Sequence, residues 1–183
     1  IYVTQSCIAP YDFNGDGFSD IAAGNTSSTQ GIPYRLADGA GGFGPVQSLA
    51  IAQSGFLVTL DAQGDGIPDL LAISGLLEMA FWPGLGNGSF GSRVTFIVPY
   101  YSTSRLLAAA DLDADGHTDF VVGRVNPATS NIHFVSFLGL GTGLFVQSSD
   151  LNAGPSLAGG ISMGFIDGDS YPDFAVGGAF GGP

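Results

Sequence analysis

Four short Asp-rich segments recur along the chain at nearly constant spacing. They read YDFNGDGFSDIAAGN, LDAQGDGIPDLLAIS, ADLDADGHTDFVVGR and GFIDGDSYPDFAVGG, and their closing aspartates lie 49, 50 and 54 residues apart. A Gly-rich element recurs in the same phase, as YRLADGAGGFGPV from Tyr34, FWPGLGNGSFGSR from Phe81 and FLGLGTGLFVQ from Phe137. Two elements that keep one phase predict a repeat architecture in which each repeat is one supersecondary unit.

Each repeat has the pattern of β-strands. Every Asp-rich segment leads into a short apolar run (IAAG, LLAI, FVVG or FAVG) that is too short for a helix. The Gly-rich elements have the composition of hairpin turns. One unit is therefore about four strands in about 50 residues, which is the size of a propeller blade. We predict an all-β fold, a β-propeller-type array of four-stranded blades with about three and a half repeats.

The repeats predict one array over residues 1–183, with units of approximately 1–53, 54–102, 103–155 and an incomplete 156–183. The most apolar stretch, residues 70–86, contains Glu78 and Pro83. It is shorter than the about 20 residues of a membrane-spanning helix. We therefore predict two strands and a turn there, and no membrane span.

The acidic residues are concentrated in the Asp-rich segments. The formal net charge is −12, and the chain has 16 acidic residues and four basic ones. Thirteen of the acidic residues lie within Asp12–Asp20, Asp61–Asp69, Asp111–Asp119 and Asp167–Asp173. Carboxylates this close repel one another unless a cation offsets their charge. A nucleic-acid binder needs a basic stripe, so the composition excludes that class.

The Asp-rich loops follow the pattern Asp-x-(Asp/Asn)-x-Asp-Gly-x-x-Asp. Calcium takes about six to eight oxygen ligands, which a tight loop supplies from alternate positions, and the absence of paired His or Cys disfavours zinc and copper. We predict three Ca²⁺ sites and a weaker or empty fourth, in which Phe165 and Ser170 replace the first Asp and the Gly. The predicted ligands are Asp12, Asn14, Asp16, the Phe18 carbonyl and Asp20; Asp61, Gln63, Asp65, the Ile67 carbonyl and Asp69; Asp111, Asp113, Asp115, the His117 carbonyl and Asp119; and Asp167, Asp169, the Tyr171 carbonyl and Asp173.

The loops are not EF-hands, although the first six positions agree. An EF-hand needs a bidentate Glu at position twelve and flanking helices. That position holds Ala23, Ala72 and Val122 in the first three loops. The competing interpretation is an acidic Asx turn that binds no ion.

These loops, the apolar strand after each and the Gly-Phe turns such as Gly42-Phe43-Gly44 and Ser89-Phe90-Gly91 resemble the FG-GAP and VCBS repeat families. Those families include the calcium-binding blades of integrin alpha-subunit propellers. The resemblance implies a β-propeller, usually of six to eight blades. Similar repeats occur in adhesion receptors, in lectins and in accessory domains of secreted enzymes, so the resemblance does not select one activity.

The fourth repeat stops after its second strand, so the last of the four blades is incomplete. The chain is then a fragment of a longer propeller, a four-bladed ring with one incomplete blade, or one of two chains that combine. Our hypothesis is that a partner chain completes the open half-blade and gives a dimer or polymer. The chain starts at Ile1 without a Met, which suggests processing or truncation.

No catalytic constellation stands out. His117 lies inside a loop, His133 lies in a strand pattern, and Cys7 is the single cysteine. We predict a secreted or cell-surface, non-catalytic calcium-binding protein with a structural or adhesive role. A glycan-binding lectin and the accessory domain of a secreted enzyme are the alternatives.

Two sets of residues bear on glycans. The sequons at Asn25 and Asn87 are glycosylation candidates if the chain is secreted. The candidate sugar-stacking aromatics are Trp82, Tyr34, Tyr100 and Tyr101, although core packing is the favoured interpretation of these four.

Overall fold

The chain forms short β-strands throughout the described residues. The computed structural model describes residues 7–24, 31–51, 55–75, 78–98, 103–155 and 157–179, and these ranges contain no helix. The strands are β1 (Ile8–Tyr11), β2 (Asp20–Ala23), β3 (Ile32–Arg35), β4 (Gln47–Leu49), β5 (Leu57–Leu60), β6 (Asp69–Ser74), β7 (Glu78–Trp82), β8 (Val94–Ile97), β9 (Thr103–Ala110), β10 (Asp119–Val125), β11 (Asn131–Gly139), β12 (Phe145–Pro155), β13 (Leu157–Gly164) and β14 (Asp173–Ala179).

The strands pair as antiparallel meanders. Three sheets have four strands each, in the orders β1-β2-β3-β4, β5-β6-β7-β8 and β9-β10-β11-β12, and a fourth sheet consists of β13 and β14. Neighbours in the sequence are therefore neighbours in the sheet, as short hairpin connections require. The predicted all-β fold, a β-propeller-type array of four-stranded blades, is confirmed.

Each Asp-rich loop joins the first and second strands of a sheet. Its closing aspartate is the first residue of the second strand and pairs with the last residue of the first strand. The four pairs are Tyr11 with Asp20, Leu60 with Asp69, Ala110 with Asp119, and Gly164 with Asp173. Since all four hairpins share this register, the loops present the same backbone positions at the same end of each sheet.

The chain divides into two compact units, each with its own core. The first comprises residues 1–61 and 65–97, and the second comprises residues 62–64 and 98–183. The core of the first unit is built from both of its sheets and includes Ala22, Ile32, Leu70 and Trp82. The second core is built from Leu106, Val121, Ile132 and Phe134, with Met163 and Phe174 of the fourth sheet packed against it.

Within the apolar stretch of residues 70–86, the described residues form two strands, as predicted, and residues 76–77 lie outside the described ranges. Strand β6 is buried along its whole length, and β7 is buried except at Glu78, where it begins. No helix in the described residues is long and apolar enough to cross a membrane.

Candidate metal centre

The first aspartate of each complete Asp-rich loop organises the loop backbone. Asp12 accepts hydrogen bonds from the backbone N–H groups of Gly15 at 2.7 Å and Gly17 at 2.8 Å. In the second and third loops, Asp61 and Asp111 accept the equivalent bonds from Gly66 at 2.8 Å and Gly116 at 2.9 Å. The three loops therefore share one turn conformation.

A glycine at the sixth position makes this turn unstrained. Gly17, Gly66 and Gly116 have φ angles of 87°, 77° and 89°, in the left-handed region that residues with a Cβ rarely adopt. A turn of this conformation favours a residue without Cβ at the sixth position, and all three loops have glycine there. The fourth position is also left-handed, and Ala114 adopts φ 62° there in the third loop.

The third loop gathers three carboxylates. Asp111, Asp113 and Asp115 each offer an oxygen, and these oxygens all lie within 4.8 Å of one another. Asp113 and Asp115 are exposed. Two unit charges about 4 Å apart repel by about 1 kcal/mol in water and by about 4 kcal/mol at an effective dielectric constant of about 20. A hard divalent cation would turn this repulsion into attraction, and carboxylate oxygens are the donors that it prefers.

The first two loops offer smaller acidic sets in the same turn. In the first loop, the side-chain amide of Asn14 donates to Asp16 at 2.9 Å, and the Phe18 N–H donates to the other oxygen of Asp16. The N–H of Gly17, with the other loop N–H groups, lowers the pKa of Asp12 and keeps it ionised. In the second loop, Asp65 receives the N–H of Ile67 at 2.9 Å, and Gln63 is exposed.

The closing aspartates of the first three loops are buried and tie the loop to the end of the third strand or the residues just after it. Both oxygens of Asp119 accept backbone N–H groups, from Leu112 at 2.6 Å and Gly139 at 2.7 Å. Asp20 does the same with the N–H groups of Phe13 and Ala37, both at 2.7 Å. Burial raises the pKa of Asp119 against the lowering effect of these two hydrogen bonds, and Asp113 and Asp115 raise it further.

The sequence pattern did not reveal this role of the closing aspartate. The loop alone placed the aspartate among the ligands, because its partner on the third strand lies 20 residues away in the case of Asp119 and Gly139. The signal that could have revealed it is an aspartate directly before a fully apolar run. Each oxygen keeps a second lone pair, so the hydrogen bonds leave room for a cation.

The residue at the seventh loop position packs on the Gly-rich turn of its own blade. A Cβ built on Gly39 would meet the Phe18 ring at 2.9 Å, and one on Gly141 would meet the His117 ring at 2.5 Å. Ile67 lies in the same way against Gly86 at 3.4 Å. A Cβ at Gly39 or Gly141 would displace the ring above it, whereas one at Gly86 would make ordinary van der Waals contact with Ile67. The His117 side chain therefore serves packing, while its carbonyl remains the predicted ligand.

The fourth loop departs from this arrangement. Phe165 stands where the other loops have their first aspartate, and 68% of its surface is exposed. Asp169 receives the N–H of Tyr171, and Asp173 receives the N–H groups of Ile166 and Asp167 on one oxygen. No acceptor at the first position organises the turn, which fits the expectation of a weaker or empty site.

The remaining candidate residues lie apart from the loops. His133 pairs with Asp150 across β11 and β12 at 2.6 Å, and the Cys7 thiol donates to the Leu57 carbonyl at 3.1 Å. Asn87 is exposed, and its side-chain oxygen accepts the N–H and hydroxyl of Ser89.

Of the four candidate sugar-stacking aromatics, two are buried and two lie outside the residues that the structure describes. Trp82 and Tyr34 are 3% and 5% exposed and belong to the core, so they are not sugar-stacking side chains. Asn25, Tyr100 and Tyr101 lie outside the described residues.

Comparison with known proteins agrees with the repeat geometry. Residues 8–47 match the FG-GAP repeat, and residues 61–122 match the FG-GAP-like repeat. Among curated proteins, none matches the chain.

Among solved structures, the chain is similar to the crystal structure of BBS1N in complex with ARL6DN, soaked with lead. The TM-score is 0.64, and the sequence identity is 12%. The match covers 97% of this chain but spans 52% of that chain. The likeness at this identity concerns the fold alone. The two family matches together cover more than half of the residues, and the chain is an FG-GAP-like repeat protein.

Proposed function

We propose that this chain is an extracellular, calcium-binding β-propeller-type repeat protein with a structural or adhesive role. The observation that carries the proposal is the third loop, where three carboxylates converge in a turn that the first and second loops repeat. The ligands of each site come from adjacent positions of one hairpin, so the ion would rigidify the loop that joins two strands.

The donor chemistry supports calcium over other common ions. All side-chain donors of the three loops are carboxylate or amide oxygens, which suit calcium or magnesium and not copper. Magnesium keeps several waters and accepts fewer protein ligands, whereas these loops offer four side chains and a carbonyl each. Asp111, Asp113, Asp115 and the His117 carbonyl would hold the ion of the third loop, with Asp119 closing it.

The proposed extracellular location follows from the calcium affinity that sites of this kind have. Calcium sites of extracellular modules have dissociation constants of about 10⁻⁴–10⁻³ M, so they would be empty at cytosolic calcium levels. With free calcium at about ten times the dissociation constant, each site contributes about 1.4 kcal/mol to stability. Three such sites would supply about 4 kcal/mol, a large part of a typical total of about 5–15 kcal/mol.

A thermal melt tests the calcium proposal. Chelator should lower the melting temperature by several degrees, and an excess of calcium should restore it, whereas an equal concentration of magnesium should restore little. Calorimetric titration should saturate at about three ions. Melting curves that coincide in chelator and in calcium would refute the proposal.

The proposed partner is a second polypeptide. The alternative, a glycan-binding lectin, is less well supported. Few charges cover the chain outside the loops, as is common on surfaces that enter an assembly. The two candidate stacking aromatics within the described residues, Trp82 and Tyr34, are in the core. We therefore favour a protein partner over a sugar, with Asn87 as an exposed candidate for glycosylation.

A further inference from the structure

A cleft of about 310 Å³ lies between the third and fourth Asp-rich loops. Strands β9 and β13 lie side by side, and the cleft is at the point where both strands end and their loops begin. All of its lining residues belong to the second compact unit. Ligand pockets usually measure about 300–1,000 Å³, so this cleft suits a single large side chain or a small molecule.

Two lining positions carry small residues where the first two repeats carry large ones. The residue before the first loop position is Tyr11 in the first repeat and Leu60 in the second, but it is Ala110 in the third and Gly164 in the fourth. The four residues are equivalent, because each pairs with the closing aspartate of its own loop. Side-chain volume is therefore reduced at this place in the two repeats that form the cleft.

The two substitutions that distinguish the fourth Asp-rich loop also line this cleft. Phe165 stands at the first loop position and Ser170 at the sixth, where the other loops have aspartate and glycine. These are the changes from which we expect a weaker or empty metal site. Since both of them face the same cleft, they indicate that the fourth loop serves a ligand other than a metal ion.

The lining of the cleft is mostly apolar. Its apolar side chains are Ala109, Ala110, Ala114, Met163, Phe165 and Pro172, and its polar side chains are Asp111 and Ser170. A sugar presents a hydroxyl group on almost every carbon, and the two polar side chains can bind few of them. An apolar side chain matches this lining better, because it removes apolar surface from water on both sides of the contact.

Two carboxylates beside the cleft can pair with a cation. Asp167 and Asp169 are exposed and lie between Phe165 and Ser170 in the loop. Asp167 accepts the N–H of Asp169, and Asp169 accepts the N–H of Tyr171, in each case on Oδ1. The other oxygen of each carboxylate has no donor within the described ranges. The described lining residues include no Lys or Arg, so the charge around the cleft complements a positively charged ligand.

We propose that this cleft binds a short segment of a partner protein in which an apolar side chain lies close to a Lys or Arg. The apolar side chain enters the cleft between Ala110 and Phe165, and the cation pairs with Asp167 and Asp169. This proposal specifies the partner of the proposed function and rests on that part of it. It does not depend on calcium, because the residues that hold the segment need no bound ion.

A peptide array tests the proposal. It displays octapeptides that combine one Leu, Met, Phe or Val with one Lys or Arg at every spacing, on a background of Gly and Ser. Each peptide has two matched controls, one with Gln in place of the cation and one with Gly in place of the apolar residue. The fluorescently labelled full chain should bind members of this set, and each control should bind severalfold less.

Variants of the chain locate the bound peptide. Ala110→Leu introduces the residue that the second repeat has at this position and fills the cleft. It should weaken the strongest peptide at least about tenfold in fluorescence anisotropy, since the apolar side chain loses its place. Ala128→Leu, the same substitution in the exposed turn between β10 and β11, should leave the affinity unchanged. If circular dichroism shows that Ala110→Leu is unfolded, Phe165→Ala replaces it and should weaken binding severalfold, because it removes an exposed wall of the cleft.

A charge variant tests the cationic half of the segment. Asp169→Asn should weaken the peptide that contains Lys or Arg severalfold and leave its Gln control unchanged. Glu78→Gln removes an exposed negative charge at the start of β7 and should weaken neither peptide at physiological salt, where distant charges are screened.

Four outcomes would overturn the proposal. They are an array in which no peptide exceeds its controls, a Gln control that binds as well as its parent peptide, binding that the cleft variants leave intact, and a sugar on a parallel glycan array whose binding Ala110→Leu abolishes. A failed array would leave the calcium melt valid, and a melt that ignores calcium would leave the array valid.

Discussion

Two aspartates of the third loop should respond differently to the loss of one carboxylate oxygen. Asp119 is buried, and both of its oxygens accept backbone N–H groups. Asp113 is exposed and receives a single N–H, from Asp115 at 3.2 Å. Asparagine has nearly the same shape as aspartate but turns one acceptor into a donor. The pair Asp119→Asn and Asp113→Asn therefore separates a carboxylate that also ties the loop to β11 from one that acts only as a proposed ligand.

The cost at Asp119 follows from its partners. In Asp119→Asn, one of the N–H groups of Leu112 and Gly139 faces another N–H and loses its acceptor. A buried orphaned donor costs about 1–3 kcal/mol. We expect a loss of about 2 kcal/mol, which lowers the melting temperature of a protein of this size by about 4–8 °C. The loss should already appear in chelator, and calcium should restore less stability than in the parent chain, because Asp119 is also a proposed ligand.

Asp113→Asn should leave the stability unchanged in chelator and lower it only in calcium. In chelator, the exposed side chain loses little and relieves repulsion with Asp111 and Asp115, so the melt should match the parent chain. In calcium, the variant should lose part of the stabilisation of that site, which is about 1.4 kcal/mol at ten times the dissociation constant, because it loses a charge but keeps the amide oxygen that Asn14 supplies at this position of the first loop. Differential scanning fluorimetry with and without calcium measures both variants. An Asp119→Asn melt that equals the parent in chelator would refute the structural role of Asp119.

Other sites give independent predictions. Gly139→Ala should cost about 1–3 kcal/mol in urea unfolding, because its Cβ would lie 2.3 Å from a backbone oxygen, while Gly177→Ala, with open space around it, should be neutral. Ala114→Gly should raise stability by about 0.5–1 kcal/mol in the same assay, since the φ of 62° costs an L-residue about 1–2 kcal/mol and the greater unfolded-state entropy of glycine offsets part of that gain. In chelator, carboxyl NMR should find the pKa of Asp38 below 3.8, because the N–H groups of Ala40 and Gly42 favour its ionised form. Asp38 then adds stability that is present above its unfolded pKa and is lost as the pH falls through the folded value, and an ordinary titration would contradict this.

The repeat and its loops were predictable because their chemistry is local. The bonds by which the first aspartate shapes an Asp-rich loop join residues at most five positions apart, such as Asp12 and Gly17. Residue types at fixed offsets therefore encode the turn, including its glycine at φ 87°. The strands were predictable for the same reason, since short apolar runs between turn residues have few other ways to satisfy their backbone groups.

Only the tertiary structure shows those side-chain roles that depend on contacts between residues far apart in the sequence. Whether Asp119 acts only as a ligand or also as a tie to β11 depends on Gly139, 20 residues away on another strand. The pairing of His133 with Asp150 and the burial of Trp82 likewise follow from register and packing, which no short window of sequence encodes. Sequence alone determined a chain of Asp-rich hairpins, because a turn needs only its own residues. The roles of individual side chains were decided only when strands far apart in the sequence came to lie side by side.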